Sequence, residues 1–201
     1  MTTTFTNQAA TMVQNYDLGG AFFALRRGSL ILFPTDTIWS VGCDASNPEA
    51  IQRLQELCCR TTPGHMEVLV SSIGMLKNHV AHLHPRIETL LVYHTRPLTV
   101  LFEEGCNLPP IALEDDGGVA IRLVRDEYCR QLIGAFGGPL AVMPACVNQQ
   151  PIPTHFGAIS SEILQGVDYV SKYRQHERNP GELPVMVKLL EGDEELLFIR
   201  E

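Results

Sequence analysis

Short apolar runs recur along this chain, separated by amphipathic stretches, and that alternation constrains the fold more than any other feature. Residues 29–33, 67–71, 98–102, 119–123 and 140–143 each have the length and the apolar content of a buried strand. Residues 18–27, 47–57 and 126–136 instead place their apolar side chains at helical spacing. The punctuation agrees. Gly28 ends the first helix, Asn47-Pro48 starts the second as N-cap and first helical residue, and Gly137-Gly138 stops the third. Ser72 is placed to cap a short helix, a further helix follows Pro85 through Leu91, and residues 157–164 read as another. Residues 168–170, 185–190 and 195–199 are late strands, the last two joined by the turn Glu191-Gly192-Asp193. Residues 106–118 and 171–183, rich in Pro, Gly and polar side chains, read as mobile surface loops. Helices and strands are too interleaved for a pure βαβ series, so the expected fold is α/β: a twisted mixed β-sheet flanked by helices, in a single domain.

Length supports that reading, since 201 residues can bury a full core without staples. Residues 1–16 are polar and Thr-rich, with neither the basic nor the apolar region of a secretory signal, and no apolar run reaches the length of a membrane span. A cytoplasmic protein with no membrane partner is the expectation. The net charge is −8 and only Lys77, Lys172 and Lys188 are lysines, a balance that weighs against RNA as a partner. In the cytosol the six cysteines, Cys43, Cys58, Cys59, Cys106, Cys129 and Cys146, are expected to be reduced, mostly buried thiols. They contain no CxxC pair, so a structural zinc site has no support in the sequence. His79, His82 and His84 read as a solvated helix end.

The most specific motif follows the first strand. Phe33-Pro34-Thr35-Asp36-Thr37 continues as Ile38-Trp39-Ser40-Val41-Gly42-Cys43-Asp44-Ala45. This resembles the P-T-[DE]-T-x-Y-G-L-G-C-D-A signature of the YrdC/YciO-like family of threonylcarbamoyl-AMP synthases. The resemblance continues in order through Asn47-Pro48-Glu49-Ala50, Pro97-Leu98-Thr99-Val100, Val119-Ala120-Ile121-Arg122, Gly137-Gly138-Pro139-Leu140-Ala141 and Pro151-Ile152-Pro153-Thr154. It implies a YrdC-like domain over residues 17–201, after the polar segment 1–16. It also implies an activity: condensation of L-threonine, bicarbonate and ATP, with Mg²⁺, into threonylcarbamoyl-adenylate and pyrophosphate, feeding the t6A modification of tRNA. Such a nucleotidyl transfer needs cations to neutralise a triphosphate, and an amino acid held close to the α-phosphate.

By the same resemblance, Thr35, Thr37, Arg60, Thr99 and Arg122 are candidate substrate or nucleotide contacts, on a concave face near Thr35, Arg60 and Arg122. For Thr35 and Thr37 the plainer alternative is a turn that satisfies its own backbone. For Arg60 and Arg122 it is an ion pair. Other positions depart from the pattern. Cys58 stands where the family has a lysine, Pro144 where it has a serine and Cys146 where it has an asparagine. Gly64 falls on a Lys or His position, with His65 one residue away, Val185 falls on a serine, and Ser40 replaces a signature glycine. Of the Lys, Arg, Ser, Asn set only Arg60 is kept. A thiol cannot replace an ammonium against phosphate, and proline offers no hydrogen-bond donor. If the fold is kept, Cys58 and Cys146 should project into one pocket, either as two unlinked thiols or as a reversible disulfide or soft-metal site with His65 or Cys59 joining, and Arg60 would favour a neighbouring thiolate. Three function classes stay open: a divergent synthase with an impaired or altered nucleotide site, a non-catalytic ligand-binding paralogue, and a double-stranded RNA-binding module.

Overall fold

Each apolar run becomes a strand and each amphipathic stretch a helix, in the order α1 (Leu18–Arg26), β1 (Ile31–Pro34), β2 (Trp39–Asp44), α2 (Pro48–Cys58), β3 (Glu67–Val70), α3 (Ile73–Lys77), α4 (Pro85–Tyr93), β4 (Leu98–Phe102), β5 (Val119–Leu123), α5 (Glu127–Phe136), β6 (Leu140–Pro144), α6 (Ser161–Gly166), β7 (Tyr169–Val170), β8 (Val185–Leu189) and β9 (Leu196–Arg200). This computed structural model describes residues 18–59, 66–148, 150–177, 183–190 and 195–200. The N-terminal segment 1–16, the turn at 191–193, Arg60 and Gly64 lie outside the described residues.

The caps follow the expected chemistry. The Asn47 side chain accepts from the Glu49 and Ala50 N–H groups, with Pro48 opening α2. Ser72 accepts from Met75 N–H, and Gly137 closes α5 in the left-handed region at φ 82°. Two expectations need correction. Residues 157–164 do not form one helix: a 3-10 turn at Phe156–Ala158 precedes α6, because the Ser160 hydroxyl accepts from Ile163 N–H and starts a new one. Residues 106–118 do not run loosely over the surface. Ala112 is buried, Leu108, Ile111 and Leu113 pack on the core, and Glu114 N–H donates to Gly118 O. The second half of the signature, read only as a motif, is strand β2.

Among the described residues the strands form one mixed sheet in the order β7-β1-β2-β6-β3-β5-β4-β8-β9. The pairs β7–β1, β3–β5 and β4–β8 are parallel and the others antiparallel. On one face a continuous core runs the width of the sheet, from Leu32 and Val41 through Val68, Ile121 and Val100 to Val187, under α2 and α6. On the other face α1 and α5 cover only part of it, packing on Ile31, Phe33, Leu69, Leu140 and Val142. Register carries that second face onward from Leu69 to Arg122, Thr99 and Met186, where no helix of that layer reaches. Polar side chains can therefore occupy sheet positions there.

Candidate functional site

The turn between β1 and β2 is built by Thr35. Its hydroxyl donates to Ile38 O (2.8 Å), accepts from Thr37 N–H and Ile38 N–H (3.2 Å each), and lies 2.9 Å from the Thr37 hydroxyl. Thr35 is thus consumed largely by its own backbone. Thr37 is not, and its hydroxyl accepts from Arg122 Nη1 at 2.7 Å. The same nitrogen reaches Asp36 Oδ1 at 2.7 Å. Arg122 Nε faces Glu67 Oε2 at 3.1 Å, an ion contact without hydrogen-bond alignment. Arg122 is only 1% exposed. Glu67 in turn accepts from the Thr99 hydroxyl (3.2 Å) and from Arg200 Nη2 (3.4 Å). A buried guanidinium between two carboxylates is the ion-pair alternative raised for Arg122.

A cavity of about 300 Å³ opens beside this cluster, bordered by Thr37, Ser40, Glu67, Arg122 and Arg200. Its remaining lining includes Cys58 and Cys59 at the end of α2, and Met143, Pro144 and Cys146 at the end of β6. Asn148 N–H donates to Cys58 O at 2.6 Å, which ties the segment after β6 to the end of α2. The distant Cys58 and Cys146 therefore line one cavity, as expected if the fold was kept. All six cysteines are thiols, with no disulfide. Burial pushes the Cys58 thiol up to about 12, with Cys59, Cys146 and Cys43 adding to the rise. Burial likewise raises Cys146, with Cys59 contributing. Among the described residues the influences on Cys58 all favour the neutral thiol, and the Arg60 expected to favour a thiolate lies outside them.

A second chamber of about 190 Å³ shares Thr37, Ile38, Ile152 and Leu183 with the first. It adds Thr35, Asp36, Trp39, Thr154 and Arg174. Arg174 fixes its floor by donating to Thr35 O (3.3 Å) and Asp126 Oδ2 (3.2 Å). The larger groove of about 600 Å³ near His82, His84, Glu103 and Glu104 shares no lining residue with either chamber. Chemistry rather than volume selects the site.

The structure thus brings Thr35, Thr37, Arg122, Cys58, Pro144 and Cys146 around two joined chambers. Thr99 is fully buried behind Glu67 and lines neither chamber. Val185 sits in the core, paired with Leu98. Arg60 and Gly64 lie outside the described residues. Sequence reasoning missed Glu67, Arg200, Met143 and Arg174. Glu67 opens an apolar strand, where a carboxylate has no sequence-local partner to betray it. The histidines also divide: His84 caps α4 by accepting from Arg86 N–H, while His79 is buried with its ring nitrogen 3.3 Å from Cys106 O. The solvated-end reading is corrected for His79. Among the described residues no group of three or more His, Cys, Asp or Glu could hold a metal ion, and no helix is long and apolar enough to cross a membrane.

Comparison with known proteins converges on one family. The family model Sua5_yciO_yrdC, described as "Telomere recombination", matches residues 23–197. The threonylcarbamoyl-AMP synthase of Xanthomonas axonopodis pv. citri is 28% identical over 162 residues, covering 79% of this chain and 87% of that protein. That of Vibrio cholerae is 28% identical over 165 residues, covering 77% and 87%. Among solved structures, Sua5 of P. abyssi complexed with L-threonine superposes with a TM-score of 0.76 at 21% identity, covering 90% of this chain but 52% of that one. This chain therefore spans about half of Sua5. YciO of E. coli superposes with a TM-score of 0.77 at 17% identity, covering 92% and 88%.

Proposed function

The chain belongs to the Sua5/YciO/YrdC family, and from that premise we propose that it is a small-molecule-binding member in which nucleotide binding and adenylate formation are lost or strongly weakened. One observation carries the reading. The two described cations of the cavity, Arg122 and Arg200, are both engaged by Glu67, and Arg122 also by Asp36, so the site offers little uncompensated charge. A neutral or zwitterionic ligand suits such a site. P. abyssi Sua5 was solved with L-threonine, which makes a small amino acid the first ligand class to try.

ATP with Mg²⁺ is the group the family implies, and the described lining fits it poorly. None of the three lysines lines the cavity. Its two described cations, Arg122 and Arg200, both face Glu67. Where the resemblance expects a lysine, a serine and an asparagine stand Cys58, Pro144 and Cys146. A triphosphate would meet little uncompensated positive charge from these groups.

The competing reading is a working synthase, favoured by the curated relatives. Calorimetric titration with L-threonine and with ATP–Mg²⁺, paired with a pyrophosphate-release assay in bicarbonate, separates the two. The expected result is a threonine heat that needs no ATP, is lost in Arg122→Lys, and comes with no pyrophosphate. Each missing preorganised charge contact costs about 3 kcal/mol in a transition state. Pyrophosphate release at an ordinary enzymatic rate would overturn the proposal.

A further inference from the structure

Four sulfur atoms border the cavity, contributed by Cys58, Cys59, Met143 and Cys146. Two of them stand at positions where the resemblance expects a lysine and an asparagine, on separate segments of the chain. Arg122 and Arg200 serve the polar side of the cavity and face Glu67, so neither serves the sulfur side.

The sulfur side is also rigidly presented. Cys59 is the C-cap of α2, and its N–H donates to Gln55 O at 2.7 Å. Met143 lies in the β6 ladder opposite Val41. Cys146 is held by its N–H to Pro144 O at 2.7 Å, and the bond from Asn148 N–H to Cys58 O joins the two segments. The Cys59 thiol already donates to the Met143 thioether at a sulfur–sulfur distance of 3.8 Å. Cys146 lines the same cavity on the segment that follows β6. A thiol and a thioether thus meet directly, and a second thiol borders the same space.

The donor set decides the ligand. Zinc wants four ligands drawn from thiolate, imidazole and carboxylate, and no group of three or more such residues among those described could hold a metal. Thioether and thiolate together select soft monovalent ions, which accept two or three sulfur ligands. We propose that Cys59, Cys146 and Met143 form a binding site for a soft monovalent cation of the Cu(I) class at the sulfur side of the cavity. Each coordinating thiol releases its proton to solvent, the thioether keeps its lone-pair role, and no change of oxidation state is involved. The proposal stands apart from the ligand reading above, since metal titration needs neither threonine nor nucleotide.

The test uses the whole chain under reducing, oxygen-free conditions, titrated with Cu(I) against a colorimetric Cu(I) chelator. One Cu(I) per chain should be retained, and Zn(II) should not be. Supporting residues alone change metal affinity about 10–100-fold, so Cys59→Ser and Cys146→Ser should each lower it by at least roughly 100-fold. Met143→Leu conserves volume and keeps the fold, and should lower it about 10-fold. Cys106→Ser, outside the cavity, should change nothing. X-ray absorption of the loaded protein should show sulfur-only coordination. The site is overturned if the chelator strips all the copper, if Cys106→Ser weakens binding as much as Cys146→Ser, if Met143→Leu binds as tightly as the parent, if Zn(II) is held as firmly, or if nitrogen or oxygen ligands appear.

Discussion

The cavity is lined by two kinds of side chain whose stability rests on different physics. Around Arg122 the contacts are hydrogen bonds and ion pairs: Nη1 meets Asp36 and Thr37 at 2.7 Å, Nε faces Glu67 at 3.1 Å, and Glu67 is shared with Thr99 and Arg200. Around Cys58, Cys59, Met143 and Cys146 the contacts are soft and short of charge, and the buried Cys58 stays a neutral thiol. In the polar cluster no member can leave without stranding a charge. In the sulfur cluster a member can leave at little more than the cost of its packing. Cys58 and Cys146, two positions where the resemblance expects another residue, lie in the second region, which is what that asymmetry would permit.

Breaking the polar cluster should produce the largest effect. Arg122→Ala strips the part-buried Asp36 of its cation and leaves Glu67 only Arg200, and with the lost buried side chain costs about 3 kcal/mol. Cys58→Ala should cost only about 1 kcal/mol, as a small buried side chain does. Urea unfolding of both variants measures the gap. Equal losses would erase the distinction between the two regions.

How much of this was legible in the sequence follows the same division. β4 and β5 match the sequence reading residue for residue, because Pro97 and Gly118 punctuate short runs in which Thr99 and Arg122 are the only polar residues. β2 went unassigned because Ser40, Gly42 and Asp44 break its apolar pattern. Yet Ser40 is buried, and a side chain at Gly42 would meet Phe33 Cε1 at 2.8 Å and Val142 Cγ1 at 2.9 Å. In the site, the signature located Thr35, Asp36 and Thr37, and register then brought Arg122 to them. Glu67 was invisible, since its partners Arg122, Thr99 and Arg200 are all remote in sequence. Met143 looked like any core methionine until Cys59 was placed beside it.

pH sharpens the comparison at intermediate size. Burial raises Cys43 and Cys58 from 9.0 to about 12 in the folded chain. The raised thiols contribute stability that is complete below pH 9 and is lost as pH climbs from 9 toward 12, because the unfolded chain releases these protons first. The slope is about 1.4 kcal/mol per pH unit for each thiol. Cys58→Ala should remove one thiol's share of the alkaline loss between pH 9 and 11. Parallel alkaline limbs for Cys58→Ala and the parent would show that Cys58 ionises freely in the fold.

The smallest effect is expected at Pro144, where the two regions meet. Pro144 closes β6 opposite Ser40. The next residue, Ala145, donates its N–H to Trp39 O at 3.0 Å, so Trp39–Ala145 is a hydrogen-bonded pair and Ser40–Pro144 is not. The nitrogen of Pro144 therefore points away from β2, toward the side on which β3 starts at the Glu67–Val142 pairing. No ladder bond to β2 is lost by having proline there. Pro144→Ser should then cost only about 0.4–1 kcal/mol, through the greater freedom of the unfolded chain rather than through any native contact. It would also give the cavity two new donors, an amide and a hydroxyl. The backbone amide gained at this position should appear as one additional NMR cross-peak that exchanges with solvent quickly when the cavity is empty and shifts when a ligand fills it. A loss above about 2 kcal/mol, or an amide protected from exchange in the empty protein, would place this nitrogen inside the sheet and remove Pro144 from the cavity wall.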